Sequence, residues 1–126
     1  MMWKKKILII DDEKEFVKMV QYRLQANGYQ VLAAHDGEHG LELAKKKPDL
    51  ILLDVMMPTL SGIEVCQLLK EDPQLKDIPV IFLTAKRAKE DKLKGLSVGA
   101  DEYIAKPFYS DELLEKIKKT LEEKNK

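Results

Sequence analysis

With 126 residues, 44% of them hydrophobic and 35% charged, the chain is long enough for one hydrophobic core and is neither a disordered tract nor a membrane-embedded one. Its 22 basic and 22 acidic side chains cancel, which removes any global electrostatic attraction to nucleic acid or to a membrane surface. The single cysteine, Cys66, excludes an internal disulfide and fits a reducing compartment, so one cytoplasmic domain over residues 1–126 is expected.

Lys4-Lys5-Lys6 precedes an apolar run, but Ile7 to Ile10 is too short for the hydrophobic region of a signal peptide and reads as a strand ended by Asp11-Asp12-Glu13. Phe16, Val17, Val20 and Leu24 recur at helical spacing, and Asn27-Gly28 closes that helix with a left-handed cap. Val31-Leu32-Ala33-Ala34 is a second strand and Asp36-Gly37 a turn. Leu41 and Ala44 then mark a helix whose last turn holds Lys45-Lys46-Lys47 before Pro48. Leu50-Ile51-Leu52-Leu53-Asp54 is apolar without alternation, as in a strand covered on both faces. Ser61 and Glu64 form a capping box for a helix with Ile63, Cys66 and Leu69 on its stripe. The next strand is entered through Pro79 and ends at Thr84. Residues 87–98 carry only the thin stripe Leu93, Leu96 and Val98 with Gly95 inside, and predict a marginal helix. Glu102 to Ala105 is a fifth strand, and Ser110 caps a last helix with Leu113, Leu114, Ile117 and Leu121 inward. Five strands alternating with five helices predict a doubly wound α/β sheet.

The ends of the predicted strands share a chemistry. Asp11, Asp12, Asp54, Thr84 and Lys106 each stand at or just after one, and in a parallel sheet those ends lie along one edge. Singly, each has a plain explanation as a helix or loop cap or a solvated lysine. Jointly they are hard to dismiss, because carboxylates a few Å apart repel by about 4 kcal/mol per close pair at an effective dielectric near 20. Such a group calls for a cation, and all-oxygen ligands without a His or Cys cluster favour Mg²⁺ over Zn²⁺. Lys106 and the Thr84 hydroxyl add a charge and a donor suited to phosphoryl oxygens. Asp54 is then the expected nucleophile for an aspartyl phosphate, with Asp11 and Asp12 as metal ligands. His35 and His39 flank a turn, which argues against a shared metal, and the Lys116, Lys118 and Lys119 cluster is interleaved with acids as a solvated face.

At these residues the chain resembles the response-regulator receiver domains of two-component signalling. The likeness rests on Asp11-Asp12, Asp54-Val55-Met56-Met57-Pro58 with Gly62, Thr84-Ala85, Gly99-Ala100-Asp101-Glu102-Tyr103 and Lys106-Pro107-Phe108. It implies a flavodoxin-like sheet of order 2-1-3-4-5, the order of chemotaxis receivers. It also implies Mg²⁺ held by Asp12, Asp54 and the Met56 carbonyl with Asp11 acting through water, a cis Lys106-Pro107 bond, and a switch in which Thr84 moves toward the phosphoryl group while Tyr103 turns inward. The altered surface would be that of the helix over 87–98, the fifth strand and the last helix. Implied partners are a sensor histidine kinase or histidine phosphotransfer protein upstream, and an effector or a phosphorylation-dependent second copy downstream. The implied chemistry is self-directed, not that of an enzyme with an external substrate. A haloacid-dehalogenase-type phosphatase would need a second acid where Met56 stands. A flavin mononucleotide module would need a Ser/Thr/Gly-rich loop in place of Asp11-Asp12-Glu13, and a degenerate receiver would lack the acid set.

Overall fold

Side chains on successive strand residues point to opposite faces, so an unbroken apolar strand has to be covered twice. The computed structural model describes residues 4–84 and 97–124. β1 (Lys6–Ile10), β2 (Gln30–Ala34), β3 (Leu50–Asp54), β4 (Val80–Thr84) and β5 (Glu102–Ala105) form one parallel sheet in the order β2-β1-β3-β4-β5. Every residue of β3 and β4 is buried, whereas β2 and β5, at the edges, are only partly covered. Alternation then divides the core. Leu8, Ile10, Ile51, Leu53, Val80 and Phe82 pack on one face with α2 (Gly37–Ala44) and α3 (Gly62–Glu71). Ile7, Ile9, Leu50, Leu52, Ile81, Leu83 and Ile104 pack on the other with α1 (Lys14–Ala26) and α4 (Ser110–Lys124). The doubly wound architecture and its strand order are those expected. The helix predicted over 87–98 lies, but for its last two residues, outside the described residues. Among the described residues, no helix is long and apolar enough to cross a membrane.

Helix ends follow local chemistry. Gly28 has φ +90, and the Gly28 and Tyr29 amides donate to the Gln25 and Leu24 carbonyls, both at 3.1 Å, which closes α1. Ser61 and Glu64 cap α3 reciprocally: the Glu64 amide donates to Ser61 Oγ at 3.2 Å and the Ser61 amide to Glu64 Oε1 at 3.1 Å. Three boundaries differ from the sequence reading. Asp36 is the N-cap of α2, its carboxylate accepting from the His39 amide at 2.8 Å, so the predicted turn is a helix start. α2 stops at Ala44, and Lys45, Lys46 and Lys47 follow it with amides bonded three residues back. Lys47, with φ 54, has left the helical region ahead of Pro48. α4 begins at Ser110 itself, since the Tyr109 carbonyl accepts the first helical bonds.

Two close approaches hold the layers in register with the site. A Cβ on Gly40 would stand 2.5 Å from Ile10 Cδ1, which brings α2 tight against β1. A Cβ on Gly62 would stand 2.0 Å from the Asp54 carbonyl oxygen, so the start of α3 is pressed against the end of β3. Gly28→Ala meets no atom within 4 Å and bears only the left-handed backbone penalty of about 1 kcal/mol. Gly62→Ala must displace backbone, and its loss is expected to reach about 3 kcal/mol. Urea denaturation of both variants checks the ranking; a Gly62→Ala loss no larger than that of Gly28→Ala contradicts it.

Candidate functional site

The C-terminal edge of the sheet collects the predicted residues. Asp11 follows β1 with its amide bonded to the Ala34 carbonyl at 3.0 Å, Asp54 ends β3, and Thr84 ends β4. The Lys106 amide donates to the Thr84 carbonyl, which seats the lysine one residue past β5. Asp11 and Asp54 are 0% and 3% exposed, Asp12 is open to solvent, and carboxylate oxygens of all three lie within 4.8 Å of one another. Thr84 is fully buried, and Tyr103 is half-buried on β5 opposite Phe82. Neither Asp11 nor Asp12 caps α1: the N-cap is Glu13, whose side chain makes no capping bond. The Lys106-Pro107 peptide is cis.

Lys106 is more committed than the sequence suggests. Its ammonium donates to Asp11 Oδ2 at 2.8 Å and to Glu13 Oε1 at 3.1 Å, and lies 4.2 Å from the centre of the Phe16 ring. Phe16 in turn meets Phe108 edge-on at 5.8 Å. Asp11 Oδ1 accepts from the Glu13 amide at 2.9 Å, so both oxygens of the fully buried acid are engaged. Asp54 Oδ1 accepts a longer bond, 3.3 Å, from the Met56 amide. Glu13, Phe16 and Phe108 join the site without a signal of that role in the local sequence. Glu13 stood in view within the acid run. That it faces Lys106 depends on a contact between residues 93 apart, for which local pattern carries no signal.

The loop after β3 is shaped to present backbone. Thr59 has φ 69, unusual for a β-branched residue, and the Leu60 amide donates to the Pro58 carbonyl at 2.8 Å in a tight turn. That reversal lets the Gly62 amide return to the Val55 carbonyl at 3.0 Å and leaves Met56 on the surface, 54% exposed. Of the rejected candidates, His35 Nδ1 lies 3.2 Å from the Asp11 carbonyl oxygen and His39 sits inside α2. Among the described residues, Asp11, Asp12 and Asp54 are the one acid, His or Cys cluster with metal-ligand geometry. Cys66 is buried in the core, and burial pushes its thiol up to about 11.

Charge dominates what this arrangement can do. Burial, and then the Asp11 carboxylate, push the Asp54 carboxyl up to about 7; Lys106 and the Met56 amide pull the other way, and Asp12 adds to the rise. Burial alone would lower the Lys106 ammonium, but its bond to Asp11, the fields of Asp11 and Asp54 and its bond to Glu13 outweigh that and raise it. The site is therefore an acid pocket with one ammonium already spoken for, and a further cation would fit its hard oxygen donors.

The chain is similar to known proteins over most of its length. The response regulator receiver domain family matches residues 7–118. The chain is 48% identical over 118 residues to the alkaline phosphatase synthesis transcriptional regulatory protein PhoP of Bacillus subtilis, covering 93% of this chain and 48% of that protein. It is 46% identical over 118 residues to the phosphate regulon transcriptional regulatory protein PhoB of Pseudomonas aeruginosa, covering 93% and 52%. It thus spans about half the length of these curated relatives. Among solved structures it is similar to the chemotaxis protein CheY4 of Vibrio cholerae, with TM-score 0.89, 34% identity, and 94% and 99% of the two chains covered. A CheY-like receiver domain protein from Methanospirillum hungatei gives TM-score 0.91 at 31% identity, with 98% of each chain covered.

The raised Asp54 carboxyl makes metal-free stability depend on pH with a definite sign. Between its ordinary value of 3.8 and about 7 the folded state holds a proton that the unfolded state has lost, so stability falls as pH rises through that window. In chelator, Asp54→Asn should gain on wild type by on the order of 1–4 kcal/mol between pH 4 and pH 8. Paired urea melts across that range check it, and a constant difference would contradict the strained carboxylate.

Proposed function

The chain belongs to the response regulator receiver domain family, and from that premise we propose that Asp54 is the phosphoacceptor of a two-component signalling switch. The observation that carries the reading is an aspartate 3% exposed at the end of a fully buried strand, with two further carboxylates within 4.8 Å. Burial there has no structural benefit, since a capping or solvated aspartate needs neither neighbour. The phosphodonor is a phosphohistidine on a sensor histidine kinase or histidine phosphotransfer protein. An Asp54 carboxylate oxygen attacks phosphorus, the new O–P bond forms as the P–N bond breaks, and the electron pair stays on the departing imidazole.

Asp12, Asp54 and the Met56 carbonyl are the groups that would hold Mg²⁺, with Asp11 engaged through water. This fits the double commitment of Asp11 to Glu13 and Lys106. When bound, Mg²⁺ offsets the repulsion of the acids and the charge on the phosphoryl oxygens. Lys106 supplies a second positive charge once it turns toward the phosphoryl group, and the Thr84 hydroxyl supplies a donor from the next strand. Movement of Thr84 frees space into which half-buried Tyr103 turns, and the surface of β5 and α4 carries the change to an effector or to a second copy of the chain.

The domain binds no nucleic acid itself and works in the cytoplasm. Its chemistry is limited to accepting and losing its own phosphoryl group, so it is not an enzyme with an external substrate. A phosphatase reading is disfavoured because the position two after Asp54 is Met56, exposed and apolar.

Intact-mass analysis after incubation with Mg²⁺ and acetyl phosphate tests the assignment. Wild type is expected to gain one phosphoryl group, Asp54→Asn none, and Asp12→Asn or chelator-treated protein much less. Undiminished labelling of Asp54→Asn would contradict it.

A further inference from the structure

The ammonium that the proposed chemistry needs already has partners in the resting protein. Lys106 has three N–H donors. Two are taken, at 2.8 Å by the fully buried Asp11 and at 3.1 Å by Glu13, and the charge rests 4.2 Å from the Phe16 ring centre, itself braced by Phe108. The Lys106 side chain is 11% exposed, so little water remains to replace a partner that lets go. Glu13 is in an odd position for this contact. It is the N-cap of α1, where a side chain ordinarily bonds its own helix's amides, yet it makes no such bond and crosses to the end of β5 instead. Its side chain is 63% exposed, which makes its hold on the lysine the weaker and the more readily broken of the two.

We propose that Glu13 is a positioning residue for phosphotransfer: it detains the Lys106 ammonium in the resting state, and the lysine leaves Glu13 to reach the incoming phosphoryl group. This rests on the reading of Asp54 as phosphoacceptor. Asp11 keeps its bond in both positions of the lysine, whereas Glu13, which lines a groove with Phe16, Lys106 and Pro107, is released. Removing the Glu13 charge therefore raises the free energy of the resting protein without changing the state in which Lys106 has already turned. Phosphorylation speeds up. Hydrolysis of the aspartyl phosphate, which starts from the turned state, does not. The exposed pair is worth a factor of about 2 to 5 in the rate of labelling.

The experiment compares wild type, Glu13→Gln and Glu15→Gln with acetyl phosphate, where the Asp54 O–P bond forms as the P–O bond to acetate breaks and acetate leaves with the electron pair. Glu15 sits in the same first turn, 93% exposed, and its variant removes the same charge without touching Lys106. Glu13→Gln should label about 2 to 5 times faster, with an unchanged hydrolysis rate, and Glu15→Gln should match wild type in both. In metal-free protein, the nitrogen–proton resonance of the Lys106 ammonium should move in Glu13→Gln and stay put in Glu15→Gln. Equal acceleration by both variants would reduce the effect to a general field. Unchanged labelling in Glu13→Gln, an equal change in hydrolysis, or an unmoved ammonium resonance would overturn the proposal. If wild type itself fails to label, it is the phosphoacceptor reading that fails.

Discussion

Carboxylates crowded at the end of a buried sheet repel one another, and the architecture around Asp54 is the means by which this chain tolerates that repulsion. Oxygens of Asp11, Asp12 and Asp54 come within 4.8 Å, a separation worth about 3 to 4 kcal/mol per ionised pair at an effective dielectric near 20. Lys106 relieves part of it by bonding Asp11; burial first, and then the remaining repulsion, hold the Asp54 carboxyl near 7. A strand free to move would relax by pulling the acids apart. β3 cannot, because β1 and β4 pair with it on either side and both its faces are packed. Stability elsewhere maintains a local charge arrangement that positive charge makes comfortable.

The same logic extends to the loop that follows. Met56 is useful to the site through its backbone, whose amide meets Asp54, so its side chain is left outside. Holding that backbone requires a sharp return of the chain, made by Thr59 in the left-handed region and by Gly62 against the Asp54 carbonyl. The capping box at Ser61 and Glu64 then fixes where α3 starts. Loop strain and helix cap act on one short segment. Their combined effect is a rigid setting for one carboxylate and one peptide unit.

Much of this could be read from residues alone, for physical reasons that differ by element. β3 and β4 were plain because burial on both faces leaves an unbroken apolar run, and the α3 start was plain because a capping box is a local bond pattern. The ends of α2 and α4 were misplaced by a residue or more, since Lys45 to Lys47 have good helical propensity and only Pro48 and the left-handed Lys47 show where the chain turns away. At the site, strand ends alone bring Asp11, Asp54, Thr84 and Lys106 to one edge. What could not be read was the partner of Lys106. Glu13 and Phe16 reach it only where the start of α1 meets the end of β5, a contact between distant parts of the chain.

Asp54 resists ionisation until positive charge arrives, and coupled proton release reports this directly. Mg²⁺ titrated calorimetrically into metal-free protein at pH 7, in two buffers of different ionisation enthalpy, should release about half a proton per ion bound from a carboxyl that titrates near 7. The release should fade by pH 9 and vanish in Asp54→Asn. Binding at pH 7 with no proton release, or release that persists in Asp54→Asn, would contradict the account.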